Sequence, residues 1–255
     1  MNWKDKTVFL TGASSGIGEG LALEMAKRGA VLGLLARRED LLKDLAARCE
    51  AAGGKAGVFA ADVTTAEAVK KAAEDFRAQF GHIDVMIANA GIGGSADARK
   101  LDIEKVTQII NVNLIGTVNA VGAVLPQMLE RNSGHLVAIS SLAGYRGLPK
   151  SAAYCGSKAG VSAFFESLRL DLKGTGIDTT IIHPGFIKTP LTAGRENNMP
   201  FLMELDDGVK KILTIIEKKK KSAAFPFPLS TFVRAGNFFP AWLYDRIAGG
   251  ANFRE

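Results

Sequence analysis

The sequence predicts an α/β fold built on one doubly wound parallel sheet of about seven strands with helices on both faces. Short apolar runs rich in Val, Ile and Ala alternate with amphipathic stretches of helical length, which is typical of βαβ units. The 255 residues are 47% hydrophobic and 23% charged, a balance that supports one large buried core and excludes a disordered, collagen-like or coiled-coil chain. We expect residues 1–255 to form a single domain.

The predicted strands and helices follow one another along the whole chain. Strands are expected at 7–10, 30–36, 57–60, 83–88, 135–140, 179–183 and 222–225. Helices are expected at 18–28, 39–51, 66–80, 103–129, 151–172 and 206–219. In the first helix, Ile17, Leu21 and Met25 recur every fourth residue, and Gly29 stands where a C-terminal cap is expected. No repeat or linker divides the chain, so the sheet should be continuous.

Composition also limits the kinds of site that the chain can carry. Cys49 and Cys155 stand 106 positions apart without a CxxC or Cys/His cluster, so we predict no metal site and no disulfide framework. The first six residues include Lys4, Asp5 and Lys6 and contain no apolar run of signal-peptide length, and no stretch reaches the roughly 18 apolar residues of a spanning helix, which favours a cytoplasmic protein. The formal charge of +6 attracts anions in general, whether a phosphorylated cofactor, a membrane surface or nucleic acid.

A glycine-rich segment, TGASSGIG at 11–18, follows the first predicted strand and opens the first predicted helix. Backbone N–H groups and the helix dipole can hold a pyrophosphate at such a place. The spacing G-x3-G-x-G differs from the general G-x-G-x-x-G fingerprint, so an ordinary tight turn is the alternative interpretation.

Tyr154 and Lys158 stand four residues apart on a predicted helix and therefore share one face. A lysine cation there favours phenolate over phenol, which makes the tyrosine usable as a general acid or base. The alternative is an exposed helix pair.

Ser141 lies 13 residues before Tyr154, at the end of an apolar strand where doubly wound sheets place their ligand crevice. Its hydroxyl could hold a carbonyl oxygen.

With these motifs the chain resembles the classical short-chain dehydrogenase/reductase family, from residue 7 to about residue 189. TGASSGIG matches the family's TGxxxGxG loop, and Asn-Ala-Gly at 89–91 matches its NAG element after the fourth strand. Pro-Gly at 184–185 matches its PG turn after the sixth strand. The resemblance implies a Rossmann-like fold and a nicotinamide cofactor that exchanges hydride with a substrate carbon.

The same resemblance implies four catalytic residues. Tyr154 and Lys158 match the family's YxxxK pair, Ser141 falls at its spacing, and Asn113 matches its helical asparagine. Tyr154 would exchange a proton with the substrate oxygen, which Ser141 would polarise. Lys158 would bind the nicotinamide ribose and stabilise the tyrosine phenolate, and Asn113 would hold a water that continues the proton path.

Cofactor contacts are implied along the carboxyl ends of the strands. Ile187 and Thr189 would meet the nicotinamide carboxamide, and Asp62 would contact the adenine. The implied cofactor-binding residues are Gly12, Ser14, Ser15, Gly16, Ile17, Gly18, Arg37, Arg38, Asp62, Val63, Asn89, Ala90, Gly91, Tyr154, Lys158, Pro184, Gly185, Ile187 and Thr189.

The residues after the second predicted strand favour NADP(H) over NAD(H). NAD-preferring members end this strand with a carboxylate that accepts hydrogen bonds from the ribose. Ala36 stands there instead, and Arg37 and Arg38 follow with guanidinium groups suited to a 2′-phosphate. Alternatively, the two arginines only begin a solvated helix. The family's other basic marker is absent, because Ser15 occupies that position.

Several reactive residue types are interpreted as structural. His82, His135 and His183 show no metal or triad spacing and are expected at strand edges or in the core. Cys155 points about 100° away from Tyr154 around a helix and is expected to fill space. Ser140 alternates to the other side of its strand from Ser141.

Two late segments are expected to shape the substrate site. The substrate loop, about 190–205, is apolar, with Leu191, Met199, Phe201, Leu202 and Met203, and suits an apolar ketone or aldehyde. The tail, about 222–255, holds six of the 14 phenylalanines together with Trp242 and Tyr244. It could line the pocket, pack across a dimer or, with lower priority, lie on a membrane beside the lysine run 218–221.

The main hypothesis is an NADP(H)-dependent carbonyl reductase that acts on an apolar small molecule such as a lipid-like carbonyl compound. An NAD-dependent alcohol dehydrogenase with the same catalytic residues is one alternative, and a dinucleotide-sensing module without turnover is another. The resemblance implies a homodimer or homotetramer. No nucleic-acid motif accompanies the positive charge.

Overall fold

Seven parallel strands form one sheet in the computed structural model, which describes residues 1–94 and 97–249. In chain order they are β1 (Thr7–Thr11), β2 (Val31–Ala36), β3 (Lys55–Ala60), β4 (Val85–Ala88), β5 (Gly134–Ile139), β6 (Ile177–Pro184) and β7 (Ser222–Phe225). Their spatial order is β3-β2-β1-β4-β5-β6-β7, and every neighbouring pair is parallel. The predicted fold class is confirmed, and the order reverses between β1 and β4.

The helices connect these strands and extend into the tail. They are α1 (Gly16–Ala26), α2 (Glu39–Ala51), α3 (Ala66–Phe80), α4 (Ile103–Ile110), α5 (Gly116–Glu130), α6 (Ala152–Asp171), α7 (Leu205–Glu217), α8 (Leu229–Gly236) and α9 (Ala241–Ala248). The bounds of α2 and α3 match the sequence prediction. The helix expected over 103–129 is interrupted by a π-helical turn, Asn111–Ile115, and the tail contains two helices that periodicity did not predict.

Both faces of the sheet are buried, which explains why the strands are apolar without interruption. In β1, Phe9 faces one core with Phe76 of α3 and Phe165 of α6. Its neighbour Leu10 faces the opposite core, where Leu21 of α1 and other apolar side chains pack. Successive strand residues therefore supply two separate cores, one under α1, α2 and α7 and one under α3, α5 and α6.

The helical segment Ile103–Glu130 is long and apolar enough to cross a membrane by length and composition, with a mean hydropathy of 1.5 over 18 residues. The sequence prediction did not identify this segment, because its apolar residues do not form one unbroken run. Its α5 part buries Ala120, Val121, Val124 and Met128 in the core shared with α3. The α5 part of this segment is therefore a core helix.

His135 and His183 lie in the core, as predicted, whereas His82 lies at the surface, three residues before β4 begins. His135 and His183 are 2% and 4% exposed, and burial lowers the pKa of each imidazole to about 4. The Nε2 atom of His135 lies 2.8 Å from the Thr180 hydroxyl. His82 is at the surface, 3.0 Å from a carboxylate oxygen of Asp84. Within residues 1–94 and 97–249, no group of three His, Cys, Asp or Glu side chains could hold a metal ion.

We expect the protein to lose stability as the pH falls from 6.5 towards 4, because the unfolded chain then protonates His135 and the folded protein does not. The contribution is up to about 1.4 kcal/mol per pH unit for each buried histidine. Urea unfolding between pH 4.5 and 7.5 should give a shallower slope for His135→Gln than for the parent protein. Equal slopes would contradict a neutral, buried His135.

Candidate active site

A cleft of about 1000 Å³ opens at the carboxyl ends of the strands, where the order reverses between β1 and β4. Nearly all of the predicted site residues line it together. The predicted residues in its wall are Gly12, Ser14, Ser15, Gly16, Ile17, Arg37, Arg38, Asp62, Val63, Asn89, Ala90, Gly91, Ser141, Tyr154, Lys158, Pro184, Gly185, Ile187 and Thr189. Gly18 and Asn113 do not line the cleft themselves but contact residues that do, Gly12 and Ile92 respectively.

The loop after β1 needs its glycines for close packing. Gly12 and Gly16 have φ values of +67° and +58°, in the left-handed region that favours glycine. A Cβ atom on Gly12 would lie 2.6 Å from the Ala90 Cα atom, and one on Gly18 would lie 2.2 Å from the Gly12 carbonyl oxygen. The loop therefore runs directly against the segment after β4, and α1 begins at Gly16 with its positive dipole end towards the cleft.

Hydrogen bonds fasten this loop to the segment after β4. The Thr11 hydroxyl oxygen accepts from the backbone N–H groups of Asn89 and Ala90, both at 3.1 Å. The Asn89 side-chain amide donates to the carbonyl oxygens of Thr11 and Gly12, also at 3.1 Å. Asn89 thus shapes the loop with its side chain, in addition to lining the cleft.

Arg37 and Arg38 reach different partners at the far end of the cleft. Arg38 donates to the Ser14 and Ser15 hydroxyl oxygens at 3.0 and 3.1 Å, so its guanidinium lies across the loop. Arg37 is exposed, and its Nη1 atom lies 3.8 Å from a carboxylate oxygen of Asp62. Ala36 ends β2 without a carboxylate, as the sequence indicated.

Asp62 and Val63 line the cleft beside Arg37 and Arg38. The second carboxylate oxygen of Asp62 accepts from the Thr64 backbone N–H and hydroxyl at 2.9 and 2.8 Å, which fixes the turn after β3. Val63 is buried, and its carbonyl oxygen accepts from the Asn119 side chain at 2.8 Å.

Ser141, Tyr154 and Lys158 meet at the other end of the cleft. Ser141 follows β5, and its hydroxyl oxygen accepts from the Ala143 backbone N–H at 3.1 Å. Lys158 is 5% exposed, donates to the Ile139 carbonyl oxygen at 2.9 Å, and has its Nζ atom 6.0 Å from the centre of the Tyr154 ring. Burial lowers the pKa of Lys158 to about 8. The exposed-pair alternative for this helix face is wrong, because the lysine is buried.

Asn113 is fully buried within the π-helical turn. Its side-chain oxygen accepts from the Ile92 N–H at 2.8 Å, and its amide donates to the Ile92 carbonyl and the Ser157 hydroxyl, both at 3.0 Å. The side chain therefore ties α4 and α5 to the segment after β4 and to α6. Its backbone carbonyl accepts from the Thr117 hydroxyl at 2.8 Å.

Ser140, which also lines the cleft, and Cys155 are both buried. The Ser140 hydroxyl donates to the Lys158 carbonyl at 3.0 Å and lies 2.9 Å from the Ser162 hydroxyl. Cys155 is 5% exposed inside the fold.

Residues after β6 close the cleft beside the loop. Gly185 donates its N–H to the Phe225 carbonyl at 2.7 Å, and a Cβ atom there would lie 2.9 Å from Pro226. Ile187 is buried and forms an isolated parallel bridge with Met203, which closes the base of the substrate loop. A Cβ atom on Gly16 would lie 3.3 Å from Thr189.

The tail lines the cleft, which sequence reasoning left as one of three alternatives. Its cleft-lining residues are Leu229, Phe232, Val233, Gly236, Phe239, Tyr244, Ile247 and Ala248. Phe227, Phe238 and Trp242 lie outside this lining and are exposed. The lysine run 218–221 precedes β7 whereas α8 follows it, so the two lie at opposite ends of that strand. Phe253 and Arg254 of the predicted tail lie outside the described residues.

Sequence reasoning missed Arg146, which also lines the cleft. Arg146 belongs to no sequence motif, because its partners are backbone carbonyls and an aromatic ring about 100 residues further along the chain. The concentration of aromatic residues in the tail was the signal that pointed to this side of the cleft.

Comparisons with known proteins agree with this geometry. The model of the short chain dehydrogenase family matches residues 6–200. An uncharacterized oxidoreductase of Myxococcus xanthus is 44% identical over 243 residues, which cover 95% of this chain and 96% of that protein. An uncharacterized oxidoreductase of Mycobacterium tuberculosis is 37% identical over 247 residues, which cover 94% and 96% respectively.

The fold is also similar to a solved structure. The crystal structure of a short-chain type dehydrogenase/reductase from Mycobacterium marinum matches with a TM-score of 0.81 and 24% sequence identity, over 88% of this chain and 93% of that chain. With a family model that covers most of its length, the chain belongs to the short-chain dehydrogenase/reductase family and is an oxidoreductase of that type.

Proposed function

We propose that this protein is an NADP(H)-dependent carbonyl reductase that reduces a ketone or aldehyde on an apolar small molecule. One observation carries the proposal. The buried ammonium of Lys158 lies one helical turn from Tyr154 at the end of a long cleft, and Ser141 lines the same cleft.

Membership of the family implies a nicotinamide dinucleotide cofactor, and the residues of the cleft fit such a group. Gly12 and Gly16 carry no side chain and line the cleft, and the N-terminus of α1 provides a positive dipole end for phosphate. When bound, the nicotinamide supplies or accepts the hydride, and that chemistry belongs to the cofactor.

Ser141 and Tyr154 would act on the substrate oxygen. The N–H of Ala143 occupies one lone pair of the Ser141 hydroxyl oxygen and so orients this hydroxyl. Its hydrogen can then be donated to a substrate carbonyl oxygen. The Tyr154 hydroxyl would deliver a proton to the same oxygen during reduction and remove it during oxidation.

Lys158 would stabilise the phenolate that remains after proton transfer. With its pKa near 8, the lysine retains its charge at neutral pH, and its burial strengthens the electrostatic effect on the tyrosine. Its bond to the Ile139 carbonyl fixes the ammonium in place. The ammonium can also donate to ribose hydroxyl groups of the cofactor.

Asn113 would contribute through its backbone more than through its side chain. Its side-chain amide is bonded to Ile92 and Ser157, so a water on the proton path would bind at the Asn113 backbone carbonyl, whose oxygen has a second lone pair beside the one that accepts from Thr117. Such turns occur frequently at functional sites.

The preference for NADP(H) rests on the arginines after β2. Arg38 lies over the hydroxyl groups of Ser14 and Ser15, and Arg37 lines the same end of the cleft. A 2′-phosphate there would accept charge-assisted hydrogen bonds from both. Arg37 also lies near Asp62, and this contact favours the second candidate, an NAD(H)-dependent alcohol dehydrogenase with the same catalytic residues.

The apolar lining supports an apolar substrate. Leu191 and Met199 of the substrate loop face the cleft together with Leu142 and Leu148 after β5. The presence of both Tyr154 and Lys158 disfavours a dinucleotide-sensing module without turnover. A homodimer or homotetramer and a cytoplasmic location remain predictions.

Tyr154→Phe should lower kcat by about 10²–10⁴, because the general acid is removed while the ring is kept. The affinity for NADPH should change less than about threefold, as measured by nicotinamide fluorescence. Tyr145→Phe is the matched control, since Tyr145 lies outside the cleft lining. Undiminished turnover in Tyr154→Phe would rule out this mechanism.

Arg38→Ala should weaken NADPH binding by about 1.5–3 kcal/mol, the usual value of a charge-assisted contact, and should weaken NADH binding far less. Arg37→Ala should act in the same direction with a smaller effect, because Arg37 already lies near the Asp62 carboxylate, whereas Arg38 lies over the hydroxyl groups of the loop. Arg77→Ala removes an equal charge from the exposed face of α3 and serves as control. An equal loss for both dinucleotides would contradict recognition of the 2′-phosphate.

Lys158→Met should abolish turnover yet raise the free energy of unfolding at pH 7, on the order of 1–3 kcal/mol, because a buried ammonium opposes folding. The pKa of about 8 in the folded protein lies below the value of 10.5 for a lysine in the unfolded chain, so the parent protein should gain stability as the pH rises from 8 to 10.5. The variant should lack that gain, whereas the exposed control Lys173→Met should retain it. Denaturant unfolding at pH 7 and pH 10 measures both effects, and a less stable Lys158→Met would contradict the account.

A further inference from the structure

Arg146 joins the segment after Ser141 to the tail. Its guanidinium donates to the Phe239 carbonyl at 2.9 Å and also to the Gly236 carbonyl at the end of α8. A cation is favoured there, because the C-terminus of a helix carries a negative dipole end. A single side chain thus holds both the end of α8 and the turn that leads to α9.

Tyr244 of α9 completes this contact from the other side. The Arg146 guanidinium lies 3.8 Å from the centre of the Tyr244 ring, a distance at which a cation and an aromatic face attract. The Tyr244 hydroxyl donates to the Gly147 carbonyl at 2.6 Å. We refer to Arg146, Gly147, Gly236, Phe239 and Tyr244 as the tail clamp.

The tail clamp places apolar side chains at the entrance of the cleft. Phe232 and Ile247 line the cleft, yet they are 71% and 58% exposed. Val233, Phe239 and Ala248 continue the same surface. Apolar groups exposed at the edge of a cleft are those that an apolar ligand would cover on binding.

We propose that the tail clamp holds α8 and α9 over the substrate half of the cleft, and that their inner face binds the extended apolar body of the carbonyl substrate. Arg146 and Tyr244 are positioning residues in this account, since they act through the tail and do not touch the reacting atoms. The proposal rests on the proposed function, because it names the substrate class of the same site: carbonyl compounds with a long or bulky hydrocarbon part.

The test compares two aldehydes with the same reactive group, butanal and decanal, by NADPH oxidation. Arg146→Ala should lower the ratio of kcat/KM for decanal to kcat/KM for butanal by about tenfold or more, mainly through the KM for decanal. Arg146→Lys keeps the charge but loses the planar fork and should give a smaller drop of the same sign. Tyr244→Phe keeps the ring and should give the smallest drop in this ratio.

Arg246→Ala is the matched control, because it removes an exposed arginine from α9 that is not in the clamp. Its ratio should equal that of the parent protein. An unchanged ratio in Arg146→Ala would overturn the proposal. So would an equal loss for both aldehydes together with weaker NADPH binding, because a general structural role predicts that result.

A binding measurement separates failure of this inference from failure of the proposed function. Decan-1-ol is titrated into Trp3→Phe protein saturated with NADP⁺, and binding is followed by the emission of the remaining tryptophan, Trp242, which lies on α9 beside the clamp. Arg146→Ala should weaken decanol binding by about tenfold or more. Equal affinity overturns the inference even if turnover is intact. If neither aldehyde is reduced by the parent protein but decanol binds in a clamp-dependent way, the inference stands and the proposed carbonyl reduction fails.

Discussion

The hydrogen bonds between Thr11 and Asn89 fix the distance between the carboxyl ends of β1 and β4, the two strands between which the strand order reverses. Each residue uses its side chain to satisfy two backbone groups of the other segment, so the loop and the turn after β4 hold each other in place. Gly12 permits this approach, since any side chain there would overlap Ala90. The cleft exists because these two segments are locked together at their bases while the crossover helices depart to opposite faces of the sheet.

The end of the cleft that holds Ser141, Tyr154 and Lys158 depends on the same turn after β4. A Cβ atom on Gly91 would lie 3.4 Å from both the Asn113 side-chain oxygen and the Lys158 Nζ atom, so the glycine lets these groups approach the turn. Asn113 in turn binds Ile92 and Ser157, which joins the turn to α6. A buried lysine disfavours folding, and the fold accommodates it with one backbone acceptor and dense packing. Stability is therefore lost at the position that the proposed chemistry needs, as is common for functional groups.

The sheet could be predicted from sequence because its strands are buried on both faces and read as short apolar runs. The bounds of α2 and α3 could be predicted because their buried residues recur every three or four positions, as on one face of a helix. The π-helical turn could not be predicted, since it depends on bonds from Asn113 to Ile92, 21 residues away. The tail helices were missed because their position is set by Arg146, about 90 residues earlier in the chain. Arg37 and Arg38, adjacent in sequence, point to different partners, and spacing alone does not reveal that division.

The central claim is that this cleft binds a phosphorylated nicotinamide dinucleotide in a productive manner. Isothermal titration of the parent protein with NADPH and with NADH, at one fixed ionic strength, tests it most directly. The account predicts one site per chain and an affinity for NADPH at least about tenfold higher, equivalent to 1.4 kcal/mol. Tighter binding of NADH would contradict the role of the arginines after β2, and binding of neither dinucleotide would contradict the account as a whole.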